Sequence, residues 1–168
     1  MTERAGTVHE PHTLRRDVTT HSVQETVSLG RLLADTLAAG DVLLLRGQLG
    51  AGKSVLCRAA IQALLQNPSL EVASPSYTVV NVYAAPKCDV WHVDLYRLGD
   101  PDEIVELGIE DAGANAVMLV EWGNRWPDPP ARRLDIEIAV VSADVRHITV
   151  DAHGDGWQTI VTALEQVA

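Results

Sequence analysis

From Val42 to Leu65 the chain reads VLLLRGQLGAGKSVLCRAAIQALL, and this stretch constrains the fold more than any other. Val42 to Leu45 is a short continuous apolar run, the mark of a strand buried on both faces. Ser54 to Leu65 carries helical spacing and stops before Asn67-Pro68. Between them GQLGAGKS fills every fixed position of G-x-x-x-x-G-K-[ST], from Gly47 to Ser54. Gly47, Gly50 and Gly52 permit the backbone angles that turn successive N–H groups inward around an anion. The helix that starts near Lys53 adds its positive end beneath phosphates. Lys53 supplies a point charge for the β/γ oxygens, and the Ser54 hydroxyl is a ligand for Mg²⁺.

The rest of the chain supplies further strands and helices. Ser22 and Glu25 form an S-x-x-E capping box, followed by Val23, Val27, Gly30, Leu33 and Leu37 at helical spacing, with Gly40 closing the helix. TVVNVYA (Thr78 to Ala84) and CDVWHVD (Cys88 to Asp94) read as strands, and AVMLVE (Ala116 to Glu121) as another buried one. Asp100-Pro101-Asp102-Glu103 opens a helix that Gly108 ends. LDIEIAVV and VRHITVDA alternate around Ser142-Ala143-Asp144 as an antiparallel hairpin, and Trp157 to Val167 reads as an amphipathic helix. The expected fold is α/β: a P-loop NTPase-like, mostly parallel sheet flanked by helices, with an antiparallel hairpin extension. Residues 1–17 read as a flexible N-terminal arm and 18–168 as a single P-loop ATPase domain, a size that can bury its own core.

A phosphate loop implies a nucleotide, not a reaction; hydrolysis also needs a carboxylate near the metal and a group that orients water. Asp94 and Glu121 each end an apolar strand, where chemistry occurs in open α/β sheets. Ser74-Pro75-Ser76-Tyr77-Thr78 occupies the place of a γ-phosphate sensor loop. Arg97 is a candidate partner for Asp94, Trp122 a candidate pocket wall, and Arg132-Arg133 a solvated pair that could touch RNA. The junction near Ser22 and the hairpin around Arg146 are candidate base-contacting regions.

These blocks resemble the bacterial TsaE (YjeE) family in order and spacing: GQLGAGKS, SPSYTVV, HVDLYRL, EIVELGIED and LVEWG, over roughly residues 20 to 150. The resemblance implies the ATPase subunit of the machinery that makes the threonylcarbamoyl modification on tRNA adenosine. It implies that Gln48, Leu49, Gly50, Ala51, Gly52, Lys53 and Ser54 cradle the ATP phosphates and that Ser54 and Glu121 serve Mg²⁺. Lys53, Asp94 and Glu121 are then the catalytic set, with the division of labour between the two acids open. Ser74, Ser76, Thr78, His92, Tyr96, Arg97 and Trp122 become switch or partner-facing residues. Ser54 stands where the family more often has Thr, and Ser76 likewise; both keep the hydroxyl.

The net charge of −10 argues against a chain that grips nucleic acid by itself, so tRNA contact is expected to be indirect, through TsaD and TsaB type partners. The polar opening MTERAGTVHEPHTLRRD lacks the apolar block of a secretory signal, no apolar run approaches the ~20 residues of a membrane helix, and Cys57 and Cys88 are too few for a disulfide framework. The expected location is the cytoplasm, with no membrane partner. Two other readings stay open at this stage: a small-molecule kinase, disfavoured because GDPDEIVELGIED offers no basic lid residue, and a nucleotide switch that binds without hydrolysis.

Overall fold

The computed structural model describes residues 13–167. The apolar run after Asp41 becomes β2 (Val42–Arg46), in the middle of a seven-stranded sheet. Around it, in chain order, come β1 (Thr13–Thr20), α1 (Val23–Thr36), α2 (Lys53–Leu64), β3 (Val80–Ala84), β4 (Asp89–Asp94), α3 (Pro101–Glu106), α4 (Ile109–Gly113) and β5 (Ala116–Glu121). A 3₁₀ turn (Gly123–Arg125), β6 (Arg133–Val140), β7 (Arg146–His153) and α5 (Gln158–Glu165) complete it. The sheet order is β1-β7-β6-β2-β5-β4-β3.

The sheet is mixed rather than mostly parallel. The three central pairings, β6 with β2, β2 with β5 and β5 with β4, are parallel; the three outer ones are antiparallel. The reason at one edge is chain length: only residues 85–88 link β3 to β4, too few for the crossover that a parallel pair needs. At the other edge the expected arm is cut back. Thr13 to Asp17 belong to β1, which pairs along its whole length with β7. The remainder of that arm, residues 1–12, lies outside the described residues.

Alternation along β2 divides the core into two layers. Leu43 and Leu45 pack with Leu33, Leu56, Ile61 and Leu164 beneath α1, α2 and α5. Val42 and Leu44 pack on the other face with Val93, Ile109, Met118 and Trp126. Gly30 is the small residue that lets α1 cross α2, since a Cβ there would lie 2.7 Å from the Leu56 carbonyl. The Ser22 hydroxyl accepts from Glu25 N at 3.2 Å as a cap should, but the Glu25 carboxylate takes the amide of His21, not of Ser22. α1 ends at Thr36 because Leu37 turns extended, so Gly40 lies in the following turn and does not close the helix. Gly108, at φ 68, ends α3 and also starts α4, a second short helix unseen in the sequence pattern. Among the described residues, no helix is long and apolar enough to cross a membrane.

Candidate functional site

The turn between β2 and α2 is built from glycines in the left-handed region: Gly47 at φ 140, Gly50 at φ 77 and Gly52 at φ 118. At Gly47 a Cβ would fall 2.5 Å from the Ile138 carbonyl, so the loop is pressed against β6 as well as turned. From β7, the Arg146 Nε–H donates to the Ala51 carbonyl at 2.9 Å and ties the hairpin to the loop. No side chain caps the start of α2 at Gly52, leaving its first-turn amides without helical acceptors. Lys53 is buried, and its ammonium donates to the carbonyls of Gly47 (2.7 Å) and Gln48 (3.0 Å). Its Nζ stands 4.0 Å from the centre of the Trp122 ring. Burial pushes the Lys53 ammonium below its ordinary value of 10.5, and the charges of Glu121 and Asp94 pull the other way.

Parallel register sets the two acids side by side: Glu121 pairs with Leu45 across one neighbour and with Asp94 across the other. Both are buried. Glu121 Oε2 accepts the Ser54 hydroxyl at 2.8 Å, while Oε1 lies 2.8 Å from His92 Nε2. Asp94 Oδ2 accepts the Ser76 hydroxyl at 3.1 Å and Oδ1 the Tyr96 amide at 2.9 Å. Gly50, Gly52, Lys53, Ser54, Asp94 and Glu121 line one cavity of about 200 Å³, with Ser76 and Trp122 on its wall. Loop residues, the lysine and the serine thus share one cavity with the two carboxylates. This donor set fits a polyphosphate with a hard divalent cation: oxygen ligands on one side, anion donors on the other.

The remaining expected residues distribute unevenly. Ser74 bonds to Ser76 at 2.8 Å and so joins the Asp94 chain, whereas the Thr78 hydroxyl donates to Asn81 at 2.8 Å instead. Val79, just after, sits at φ 66; its amide donates to the Pro75 carbonyl (2.7 Å) and its carbonyl accepts from Asp94 N (2.9 Å). The suggested Arg97–Asp94 pair does not form; Arg97 lies 4.3 Å over the ring of Tyr77, itself 82% exposed. The Tyr96 ring packs against Trp122 at 4.9 Å, tilted by 43°, and Trp122 takes the left-handed φ of 59. Gln48 contributes its carbonyl, Ala51 is buried, and Leu49 stands out at 78% exposure.

His92 is not partner-facing. It is 1% exposed, beneath the site, and it reaches Glu121 because residues two apart share a strand face with Asp94. That spacing was the available signal. Of the expected solvated pair, Arg132 is exposed yet bonds to Asp41 and packs over Trp157, while Arg133 is half-buried and holds Asp135 at 3.1 Å. The Arg146 tether had no local signal, since its partner is 95 residues away. Cys57, His92 and Glu121 bring ligand atoms within 4.8 Å of one another. A resident metal on His92 Nε2 would leave Nδ1 buried without the partner such ligands keep, so this trio does not fit one.

A family model described as "Threonylcarbamoyl adenosine biosynthesis protein TsaE" matches residues 20–148. The tRNA threonylcarbamoyladenosine biosynthesis protein TsaE of Rickettsia prowazekii is 38% identical over 104 residues, 62% of this chain and 72% of its own length. The protein of that name from Streptomyces coelicolor is 35% identical over 139 residues, covering 78% and 93% respectively. Its counterpart from Aquifex aeolicus is 34% identical over 138 residues, covering 82% and 96%. The crystal structure of Bacillus subtilus YdiB is similar throughout, with a TM-score of 0.70 at 25% identity, covering 94% of this chain and 97% of that one.

Proposed function

The chain belongs to the TsaE family, and from that premise we propose that it binds Mg²⁺-ATP in the cavity between loop and acids and hydrolyses it. The hydrolysis serves threonylcarbamoyl modification of tRNA adenosine. One observation carries this reading: the Ser54 hydroxyl and the Glu121 carboxylate meet at 2.8 Å beside the loop's lysine, with Asp94 on the adjoining strand. Mg²⁺, when bound, would supply charge neutralisation to the phosphates. Ser54 and Glu121 are the residues that would hold it. Lys53 exchanges its carbonyl partners for phosphate oxygens, and the glycine-loop amides take the remainder of that charge. Asp94 orients the attacking water once Ser76 releases its Oδ2.

That release gives the site a readout. The Ser76 hydroxyl, itself bonded to that of Ser74, donates to Asp94 here, so nucleotide at Asp94 moves this loop and signals to partner proteins of the TsaD and TsaB type. The transfer of threonylcarbamoyl belongs to those partners, and a net charge of −10 makes the tRNA contact theirs as well. Among the described residues no arginine lines the cavity, so turnover by the lone chain is slow and rises in the complex.

Phosphate release from Mg²⁺-ATP, measured with and without partner proteins, tests the proposal. Lys53→Ala should abolish nucleotide binding without unfolding the chain. Asp94→Ala should keep ATP affinity and lose about 100-fold in turnover, about 2.7 kcal/mol. Undiminished phosphate release by Asp94→Ala would sink the assignment, and so would a phosphorylated small-molecule acceptor.

A further inference from the structure

The buried histidine under the site has a different duty from the residues around it. We infer that His92 is a positioning residue for Glu121: it pins one carboxylate oxygen so that the other stays on Ser54 and toward the cation.

The geometry is a short chain across the sheet. His92 Nε2 meets Glu121 Oε1 at 2.8 Å, and Glu121 Oε2 takes the Ser54 hydroxyl at 2.8 Å. A carboxylate only accepts, so the proton of this contact sits on Nε2. The other ring nitrogen, Nδ1, is buried and has no hydrogen-bond partner. The imidazole therefore makes one polar contact, and that contact is with the carboxylate. A histidine retained for packing would not need a donor at this atom, since an apolar ring would fill the same space without leaving Nδ1 unsatisfied. Glu121 is 2% exposed, so water offers no substitute donor. Without Nε2–H, its Oε1 would be orphaned or would turn toward Ser54, and the carboxylate plane would no longer be set by both neighbours. Hydrogen bonds of this kind behind a metal-holding group tune affinity by about 10–100-fold.

This inference rests on the proposed Mg²⁺-ATP site, and a pair of amide substitutions separates the two. His92→Gln places a donor where Nε2 stood; His92→Asn places the same amide at the position of Nδ1. Both bury one amide, so a packing role would make them alike. The full-length protein is saturated with a non-hydrolysable ATP analogue and titrated with Mn²⁺, free ion being read by electron paramagnetic resonance. Analogue affinity without metal is measured in parallel, and melting checks the fold. H92Q is expected to stay within about threefold of the wild-type half-saturation and H92N to rise about tenfold, with metal-free affinity equal in all three. Equal values for H92Q and H92N overturn the positioning role while leaving the ATP site intact. Failure of the wild type to retain Mn²⁺ with the analogue overturns the ATP site itself, and the inference with it. Should H92N fail to fold, a loss beyond threefold in H92Q alone overturns the role.

Discussion

Asp41 and Asp135 are enclosed acids with arginine partners: Arg132 for Asp41, and Arg46 (3.2 Å) and Arg133 (3.1 Å) for Asp135, with His153 a further 3.0 Å contact. Glu121 and Asp94, a few strands away on the same sheet, have only hydroxyls, an amide and an imidazole as hydrogen-bond partners. The nearest ammonium, Lys53, bonds to carbonyls instead. The difference separates two uses of a buried negative charge. One that meets a guanidinium within the chain is complete, and it contributes to holding the antiparallel side of the sheet to the parallel core. A pair that meets no guanidinium keeps its field facing the cavity, where a cation from outside would be favoured.

The contrast is open to measurement. The largest effect expected is in Glu121→Gln, which should lower phosphate release at least 100-fold, about 2.7 kcal/mol, while leaving the melting temperature unchanged or higher, because it deletes a buried charge that has no guanidinium partner. A clear drop in melting temperature would erase the distinction between the two sets. Asp135→Asn should do the reverse. It strands Arg46 and Arg133, and since Arg46 is 37% exposed a loss of about 2 kcal/mol in denaturant unfolding is expected, with nucleotide affinity within about twofold of wild type.

A smaller effect concerns Cys57, which lies beneath the acids. Burial first, then the charges of Glu121 and Asp94, pushes its thiol well above the ordinary 9.0. The unfolded chain loses that proton at lower pH than the folded one, so the contribution is intact below pH 9.0 and is lost as pH rises above it. Lys53 works in the opposite sense, since its folded value lies below 10.5 and the fold gains as pH climbs toward that point. The difference in stability between wild type and Cys57→Ala, followed from neutral to alkaline pH by chemical denaturation, isolates the thiol. It should be flat below pH 9.0 and shrink above it.

What could be read in the sequence was whatever local chemistry dictates. GQLGAGKS carried its own turn, the apolar runs ending in Asp94 and Glu121 placed both acids at strand ends, and Ser142-Ala143-Asp144 marked the hairpin. Contacts made across the fold were not legible. Thr13 to Asp17 read as an arm because an edge strand whose outer face is wet needs few apolar residues; of TLRRDVTT only Val18 and Thr20 are buried. His92 read as switch or partner-facing because its own partner comes from the next strand, 29 residues on. Arg132 and Asp41 are 91 residues apart, and nothing in Arg132-Arg133 foretold that both would serve the fold. Gly108 read as a stop because a left-handed residue ends one helix without revealing whether another begins.

Val79 draws a last consequence from its backbone. A β-branched side chain at φ 66 is a steric outlier, held by the Pro75 carbonyl on one side and the Asp94 amide on the other, and such a residue stores on the order of 1–3 kcal/mol. The spring is wound in the segment that joins Ser76 to β3. Any rearrangement that returns Val79 to a negative φ recovers that energy, the equivalent of roughly a tenfold preference of a ligand for the rearranged form. A ligand that displaced the Ser76–Asp94 contact would have that much less of the rearrangement's cost to supply through its own differential affinity.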